Sequence, residues 1–473
     1  MADDAENSDK ETADPSKIHE VPSCTKYNLF NARSMPNNKR GSGPSCVHIY
    51  LFVPGILVTA YYNCFAVQIL LKAKDGNMLS LDKVFNAQLV LKNIIRETSL
   101  VRAYGIAPEC ELYLKPENLQ ITGSFKVRGS AYKIAMLSKE ERKKGVIACS
   151  AGNHAQGVAL AATKNGIKSL ICLPDSAPIS KVEATKGFGA EVCLVEGVYD
   201  DAYRKALELR DSEGYTFVHP FDDENVIAGQ GTIALEIYHD LDNIDAIIVP
   251  VGGGGLISGI AYTVKQIRPS VKVYGVQAAG APSMYNSVHD HKIECLDSVS
   301  TIADGIAVKQ PGENTYDLVS KYVDDIALVS DDEVASAILA LIEKQKMIAE
   351  GAGAVSVAAV MFDKFNLKGK RVVSIVSGGN IDVTSLSRVI DRGLRKSGRS
   401  TSLLIELIDK PGQLKDISRI IADCGGNVTG VHYEKGETES INGCFLRIEM
   451  ETRDYNHVMQ ITESLKAEGF KIV

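Results

Sequence analysis

The hydrophobic positions of this chain change their spacing several times, and the first part shows no regular spacing. Residues 1–40 are polar and mixed in charge, which predicts a disordered tail. No Asp, Glu, Lys or Arg occurs between Gly41 and Leu71, and the stretch 47–71 is strongly apolar. We expect residues 1–80 to form an N-terminal extension, in which 47–71 is a membrane anchor, a buried helix or strand, or a poorly structured segment. Pro54, Gly55 and three tyrosines interrupt the stretch, which argues against the membrane anchor.

From Leu81 to about residue 395 the spacing is regular. Apolar residues at helical spacing over Leu81–Glu97 are followed by strand and helix patterns in alternation. This alternation predicts an α/β domain over 81–395, with open, mostly parallel sheets wrapped by helices. The strand-like runs are 111–114, 145–149, 169–173, 191–195, 246–251, 271–276 and 371–376. Ligands of such sheets bind where loops leave the carboxyl ends of the strands.

The last part of the chain, residues 401–473, has a third pattern. Arg392–Ser400 is rich in small and basic residues, which predicts a linker. The pattern then predicts four strands, at 401–408, 427–433, 443–451 and 470–473, and two helices, at 413–424 and 455–468. A turn is predicted at 435–442, between the second and third strands. The order βαββαβ is typical of ferredoxin-like modules.

Composition limits the partners of the protein. The 473 residues are 45% hydrophobic and 23% charged, which is ordinary for a globular protein. The formal net charge of -7 and the lack of a dense basic run with aromatics argue against nucleic-acid binding. The ten cysteines are dispersed without a C-x-x-C pair, so we interpret them as reduced core thiols of a cytoplasmic protein.

One lysine is placed where it could act chemically. In the segment KPENLQITGSFKVRGS, residues 115–130, Lys126 follows a Gly-Ser-Phe turn and begins an apolar helical pattern. Partial burial beside Phe125 would lower the pKa of the ammonium group and expose a nucleophilic amine. A surface lysine at a helix start is the alternative.

A loop of small and polar residues follows the strand that ends at Cys149. Backbone N–H groups at the start of the next helix favour a carboxylate or a phosphate. Ordinary helix capping is the alternative. The candidate residues for binding such an anion are Ser150, Ala151, Gly152, Asn153 and His154.

Four consecutive glycines follow the strand pattern that ends at Val251. Amides without Cβ atoms can close around a phosphate at a helix start, so Gly252, Gly253, Gly254 and Gly255 are candidate phosphate ligands. The Walker lysine is absent and Ser258 replaces the last glycine of a dinucleotide motif, which favours a single terminal phosphate. A flexible turn is the alternative.

A third loop, Ser377-Gly-Gly-Asn380, ends the strand pattern 371–376 with a hydroxyl and two glycines. A flat ring could approach the backbone closely here, although a turn with an incidental serine would look the same. An activated lysine, a phosphate cradle, an anion-binding loop and a hydroxyl near a flat ring are together what pyridoxal phosphate requires.

With these motifs the chain resembles the fold-type-II pyridoxal phosphate enzymes, and specifically the serine/threonine dehydratases. The resemblance covers residues 81–395 through KPENLQITGSFKVRG, SAGNHAQG, VPVGGGGLISG and SGGNID. It implies that Lys126 forms the imine with pyridoxal 5'-phosphate, that Phe125 packs on its ring and that Asn153 meets the ring hydroxyl. It further implies that Gly252–Gly255 and Leu256 hold the phosphate and that Ser377 partners the pyridine nitrogen.

A serine beside the ring nitrogen favours one type of reaction. A hydroxyl does not stabilise a pyridinium as a carboxylate does, so we expect elimination rather than a long-lived carbanion. L-Threonine would give 2-oxobutanoate and ammonia, and L-serine pyruvate and ammonia, with the freed Lys126 amine as general base. A serine racemase and an inactive effector-binding regulator are the alternatives.

Departures from the related racemases bear on that choice. The racemases carry a second serine at the place of Ala151, which has no proton to give, so racemisation is disfavoured. Their acidic metal ligands correspond here to Gln277 and Ser283, which predicts no required divalent metal, although a weakly held monovalent cation fits these neutral oxygens. We interpret Ala303-Asp304-Gly305 and Glu350-Gly-Ala-Gly353 as structural loops near the site.

Residues 401–473 resemble the ACT domain, through the DKPG turn and Gly425–Val428. The resemblance implies a small allosteric effector, such as an amino acid, and a homodimer or homotetramer. A dimerisation module without a ligand is the alternative.

Overall fold

The computed structural model describes residues 46–53, 56–63, 79–434 and 443–473, in one unit that ends at Ala73 and a second that begins at Lys74. In the first unit, β1 (Cys46–Val53) pairs with β2 (Ile56–Asn63) as an antiparallel hairpin. The apolar stretch therefore forms strands as far as Asn63. Its remainder, and the predicted tail 1–40, lie outside the described residues.

No helix within the described ranges combines the length and the apolar character needed to cross a bilayer.

The second unit contains a six-stranded sheet in which every strand except β3 runs parallel to its neighbours. Its strands in spatial order are β11 (Asp325–Val329), β10 (Lys272–Ala278), β9 (Ala246–Pro250), β12 (Arg371–Val376), β4 (Glu111–Pro116) and β3 (Val101–Arg102). Because β9, β12 and β4 are parallel neighbours, the loops after their carboxyl ends lie at one edge of the sheet.

A second, four-stranded sheet is entirely parallel. Its strands in spatial order are β7 (Glu191–Val195), β6 (Ser169–Pro174), β5 (Val146–Cys149) and β8 (Thr216–Phe217). The predicted α/β class with two open parallel sheets is confirmed. All seven predicted strand runs correspond to strands, and their ends differ by at most two residues.

Helices cover both sheets, and several begin at residues whose side chains cap them. Ser80, for example, accepts a hydrogen bond from the backbone N–H of Lys83. The first helix ends at Leu91 rather than at Glu97 as predicted. The helices are α1 (Leu81–Leu91), α2 (Lys126–Ala135), α3 (Lys139–Lys144), α4 (Asn153–Lys164), α5 (Ile179–Gly187), α6 (Tyr199–Glu213), α7 (Glu224–Asp240), α8 (Gly255–Ile267), α9 (Ser283–His289), α10 (Glu313–Tyr322), α11 (Asp331–Ala340), α12 (Gly351–Met361) and α13 (Val383–Lys396). Short 3-10 turns occupy Glu117–Leu119 and Asp304–Ile306, and a π-helical turn occupies Leu341–Gln345.

The C-terminal residues form the predicted βαββαβ module. Its elements are β13 (Ser400–Ile408), α14 (Gln413–Asp423), β14 (Asn427–Glu434), β15 (Gly443–Glu451), α15 (Tyr455–Ala467) and β16 (Lys471–Ile472), and the antiparallel sheet has the order β14-β15-β13-β16. The predicted turn 435–442 lies outside the described residues. The predicted linker Arg392–Ser400 is wrong in its first half, because α13 continues to Lys396.

The cysteines are only partly in the core. Cys149, Cys172 and Cys444 are buried free thiols, whereas Cys295 is exposed. The prediction of core thiols is therefore wrong for Cys295, which lies in a loop after α9. Cys24, Cys46 and Cys64 are not covered by the description of side chains.

A buried cluster of four charges joins β4, α2 and α7. Lys115, Glu117 and Arg128 have no exposed surface, and Glu236 is 5% exposed. The Arg128 guanidinium donates to both Glu117 oxygens at 2.7 and 2.8 Å and to both Glu236 oxygens at 2.6 and 2.8 Å. Lys115 Nζ lies 2.5 Å from Glu236 Oε2. The charges of two cations and two carboxylates therefore balance within the cluster.

We expect Arg128→Met to destabilise the protein by about 3–5 kcal/mol, because two buried carboxylates lose their partner. Urea unfolding followed by circular dichroism measures the change. Lys205→Met is the matched control, since Lys205 pairs with Glu208 on the exposed face of one helix. This variant should leave the midpoint of urea unfolding unchanged. Equal midpoints for the Arg128 variant and the wild type would contradict the role of the cluster.

Candidate active site

Lys126 is the first residue of α2, and its side chain points into the protein. Its Nζ donates a hydrogen bond to the Pro220 carbonyl oxygen at 2.8 Å and lies 5.3 Å from the centre of the Phe125 ring. Burial lowers the pKa of the Lys126 ammonium to about 8, although the nearby Glu350 carboxyl opposes this shift. The amine is therefore readily deprotonated, as its position in the sequence predicts.

The loop that ends β12 is joined to the turn before Lys126. Phe125 N–H donates to the Ser377 carbonyl at 3.1 Å, and Gly379 N–H donates to the Gly123 carbonyl at 2.9 Å. Ser124 and Gly378 form an antiparallel bridge between these bonds. The buried Ser377 hydroxyl donates to the Ala352 carbonyl at 3.2 Å. The two predicted loops thus form one backbone platform.

The four glycines turn tightly against the segment that Lys126 contacts. A Cβ at Gly253 would lie 2.5 Å from the Phe221 ring, and one at Gly255 would lie 2.8 Å from Phe221 Cβ. Gly254 has φ +96°, a left-handed conformation that favours glycine. Because Phe221 follows Pro220, the glycine loop and the Lys126 amine contact the same dipeptide. Leu256, in the first turn of α8, is buried.

Thr315 holds the glycine loop from the other side. Its hydroxyl donates to the Gly253 carbonyl at 2.6 Å, and its backbone N–H donates to Asp222 Oδ1 at 3.1 Å. A Cβ at Gly254 would lie 2.8 Å from Thr315 Cβ. The chain of contacts from Asp222 through Thr315 to Gly253 fixes the direction of the loop amides.

Asn153, the first residue of α4, lies at the centre of a polar group. Its Nδ2 donates to Glu350 Oε1 at 2.7 Å, and its Oδ1 accepts from Asn380 Nδ2 at 2.6 Å. Burial, and then the charge of Asp304, raise the pKa of the Glu350 carboxyl to about 7, against the opposing hydrogen bond from Asn153. Glu350 can therefore gain or lose a proton near neutral pH.

The other residues of the loop after β5 have different surroundings. Ser150 Oγ accepts from Gly152 N–H at 3.2 Å, and Ala151 is half-buried. The His154 side chain is buried away from the loop, 2.8 Å from the Val218 carbonyl and 3.4 Å from Ser130 Oγ. Burial lowers the pKa of His154 to about 3, so the imidazole is neutral. Any contact of His154 with a ligand must therefore use its backbone.

Gln277 and Ser283 are both engaged inside the protein. Gln277 Oε1 accepts from the Tyr285 N–H at 2.7 Å, and the Ser283 hydroxyl donates to the Val308 carbonyl at 2.7 Å. In the part of the chain that the structure describes, no group of three or more His, Cys, Asp or Glu is arranged to hold a metal ion.

The donor set fits pyridoxal phosphate. The glycine loop presents amides at a helix start, and its path excludes side chains, because Cβ atoms at Gly253 and Gly255 would collide with Phe221. The buried hydroxyl of Ser124, two residues before Lys126, has no hydrogen-bond partner among the described residues. The amine of lowered pKa and the spare hydroxyl, two residues apart in the chain, together with the backbone amides of the glycine loop, suit a phosphorylated aldehyde.

Reasoning from sequence missed three residues of this site. Thr315 and Phe221 carry no motif of their own, and their contacts with the glycines arise only in the folded chain. Glu350 was interpreted as part of a structural loop, yet its carboxyl lies against Asn153 and influences Lys126. Its position as a charged residue directly before helix α12, in which Ser356 is the one polar residue, was the available signal.

Comparisons with known proteins show the family of this chain. A family model described as pyridoxal-phosphate dependent enzyme matches residues 91–378. An L-threonine ammonia-lyase of Thermotoga maritima is 48% identical over 398 residues, which are 84% of this chain and 99% of the relative. A catabolic L-threonine dehydratase of Escherichia coli K12 is 44% identical over 66% of this chain and 96% of its own.

Solved structures show the same similarity. The processed threonine deaminase isoform 2 of Solanum lycopersicum is 37% identical with a TM-score of 0.63, over 67% of this chain and 94% of that structure. The serine racemase of maize is 34% identical with a TM-score of 0.64, over 68% of this chain and 99% of that structure.

Thr315→Val should weaken the binding of pyridoxal phosphate by about 2- to 10-fold, because a buried carbonyl loses a hydrogen bond worth about 0.5–1.5 kcal/mol. Absorbance titration of the cofactor-free protein measures the dissociation constant. Thr315→Ser keeps the hydroxyl and should bind like the wild type. Equal loss in both variants would show that packing, and not this hydrogen bond, matters.

The lowered pKa of Lys126 predicts how the cofactor binds. Only the uncharged amine attacks an aldehyde, so the rate of reconstitution should rise with pH and level off above about 8. Stopped-flow absorbance at several pH values gives this profile. A rate that still rises steeply above pH 10 would mean that the lysine keeps the pKa of a solvated amine.

Proposed function

Because this chain belongs to the family of pyridoxal-phosphate dependent enzymes, we propose that it is an L-threonine ammonia-lyase. It converts L-threonine to 2-oxobutanoate and ammonia, and L-serine to pyruvate and ammonia. The observation that carries this proposal is the 48% identity with the Thermotoga maritima L-threonine ammonia-lyase along 99% of that relative. The buried amine, glycine cradle and polar group of the site supply the groups that this reaction needs.

Pyridoxal phosphate, when bound, withdraws electrons from the Cα of an amino acid and so makes its proton acidic. In this proposal Lys126 binds the cofactor covalently, while Gly252–Gly255 and Leu256 hold its phosphate. Phe125 packs against the ring, and Asn153 and Ser377 supply polar contacts at its edge. Amides at the start of α4, from Ser150 to His154, bind the substrate carboxylate.

Lys126 also moves the proton. Burial holds its pKa at about 8, so the Nζ atom can take a proton from Cα and release it near neutral pH. The Pro220 carbonyl, 2.8 Å from Nζ, accepts a hydrogen bond and orients the amine. The buried surroundings exclude water, which keeps the transferred proton within the site.

The maize serine racemase favours racemisation as a second candidate, since it is as similar in structure as the threonine deaminase. Racemisation requires a proton donor on the face of Cα opposite Lys126. The loop position proposed for that donor is Ala151, whose methyl side chain carries no exchangeable proton. Elimination therefore remains the better match to the residues present.

We further propose that the C-terminal module 401–473 is an ACT-like regulatory domain that binds a small effector. The alignment with the Thermotoga maritima enzyme is longer than the interval 81–395, so that relative shares residues outside the catalytic domain. Arg399 Nη1, directly before β13, lies 2.5 Å from Glu343 Oε1 in the π-helical turn. That turn is followed by Lys346, whose φ is +57°, and then by Glu350.

This short segment offers a path for regulation. A movement of the module would act on Arg399 and Glu343, and the segment between Glu343 and Glu350 would carry it to the polar group around Asn153. π-Helical turns and residues with positive φ are common at functional sites because they store strain. A homodimer or homotetramer in the cytoplasm would suit regulation by an effector. The exposed edge strand β14 offers a surface through which subunits could assemble.

The purified enzyme should release 2-oxo acid from L-threonine and L-serine and should show visible absorption from its cofactor. Lys126→Ala should abolish both, because the covalent link and the base are lost together. Lys139→Ala, at an exposed position of the next helix, should change neither. A colourless wild type without 2-oxo acid release would refute the proposed function, and appreciable D-serine would favour the racemase.

Arg399→Gln should weaken regulation and leave turnover without effector near its wild-type value. The measurement is 2-oxo acid release with each of the common amino acids added singly as a candidate effector. Arg419→Gln is the matched control, because Arg419 pairs with Asp423 within α14. Wild-type regulation in the Arg399 variant would exclude the path through Glu343.

A further inference from the structure

An ion pair joins the small-sheet half of the enzyme to a turn beside the proposed site. Lys181 lies in α5, which packs beside α4 next to the four-stranded sheet. Its Nζ donates to Asp304 Oδ2 at 3.0 Å. Asp304 begins the 3-10 turn Asp304–Ile306, which packs against α12 next to the six-stranded sheet.

That turn lies between two parts of the proposed active site. A Cβ at Gly305 would lie 3.5 Å from Glu350 Oε1, and a Cβ at Gly252 would lie 3.0 Å from Ile306 Cα. The turn thus contacts the polar group at one end and the first glycine of the cradle at the other. Any displacement of Asp304 changes both contacts.

From this geometry we propose that the Lys181–Asp304 ion pair is a positioning contact that joins the two halves and holds the turn 304–306 beside Glu350. The proposal rests on the proposed function and names residues that act on the same site. Neither Lys181 nor Asp304 is assigned a contact with substrate or cofactor. Both act through the turn 304–306 and through Glu350.

The charges around Glu350 determine the sign of each effect. Asp304 on the turn raises the pKa of the Glu350 carboxyl, whereas Lys181 on α5 and Lys126 on α2 lower it. Removing the Lys181 charge should therefore raise this pKa, and removing the Asp304 charge should lower it. A purely structural role would shift the titration in the same direction for both variants, so opposite shifts are diagnostic.

The charge of Glu350 is expected to influence the cofactor. Its carboxyl accepts from Asn153, which is proposed to meet the ring hydroxyl, and it raises the pKa of Lys126. The absorption of the bound cofactor should then follow the titration of Glu350 without any turnover. This readout remains informative even if neither threonine nor serine proves to be a substrate.

The test compares Lys181→Gln, Asp304→Asn and the double variant as holoenzymes. Each single variant should raise KM for L-threonine by about 2- to 5-fold, the effect of losing one partly exposed ion pair. The double variant should raise KM no further, because both substitutions break one contact. About 1 M NaCl should bring the wild-type KM towards that of the variants, since Asp304 is 64% exposed.

The pH profile gives the decisive sign. The midpoint of the cofactor absorption should move up by about half a pH unit in Lys181→Gln and down by a similar amount in Asp304→Asn. Lys186→Gln is the matched control, because Lys186 lies on the same helix and pairs with Glu183 within that helix. Lys181→Arg should retain the wild-type KM.

Three outcomes would overturn the proposal. The two single variants could shift the midpoint in the same direction, their effects on KM could add in the double variant, or both could match Lys186→Gln. A holoenzyme with opposite midpoint shifts but no 2-oxo acid release would instead support the ion pair and refute the proposed reaction.

Discussion

The position of the reactive lysine depends on a buried, neutral cluster of charges two residues away. Arg128 is held by four short hydrogen bonds to Glu117 and Glu236, and Lys126 lies half a turn earlier on the same helix. Because the cluster fixes Arg128 against two other elements, α2 cannot rotate without exposing a charge to an apolar interior. Close approach of the backbones reinforces this constraint, since a Cβ at Gly229 would lie 2.7 Å from the Arg128 carbonyl oxygen. The Lys126 amine therefore has one direction available, towards Pro220.

The rest of the site follows from the parallel sheet. The loops after β9, β12 and β4 must leave at one edge, and hydrogen bonds between the turn before Lys126 and the loop at Ser377 join two of them. The glycine loop meets this platform through Pro220 and Phe221, where no side chain could be accommodated. The same absence of side chains that allows Phe221 to pack would leave the amides at the start of α8 available to the phosphate of the proposed site. Packing and ligand binding thus require glycine for related reasons.

Sequence reasoning succeeded where the physical signal is local. Alternating strand and helix patterns, the four glycines and the βαββαβ order each depend on neighbouring residues, and the structure contains all of them. It failed where the contact depends on distant residues. Asn153 and Glu350 are 197 positions apart, and Lys126 and Pro220 are 94 apart. No spacing rule connects such pairs, so Glu350 looked like an ordinary loop residue.

The predicted linker at Arg392–Ser400 was wrong for another reason. The basic residues lie on the amphipathic helix α13, where Arg392 and Lys396 pair with Asp332.

Glu350 is where the separate parts of the enzyme can influence one another. Asn153 reaches its carboxyl from the small-sheet half, the Asp304 turn approaches it from the glycine cradle, and the segment after Glu343 leads to it from the C-terminal module. A carboxyl with a pKa of about 7 is the most responsive type of group for such a place, because small changes in field alter its charge at physiological pH. The charge of a permanently ionised carboxylate would not change when its neighbours move. The protonation of a carboxyl near its titration point does change when neighbouring charges move, and its charge acts directly on the neighbouring Lys126 amine. The proposed control of the reaction at this position would therefore need no large rearrangement of the fold.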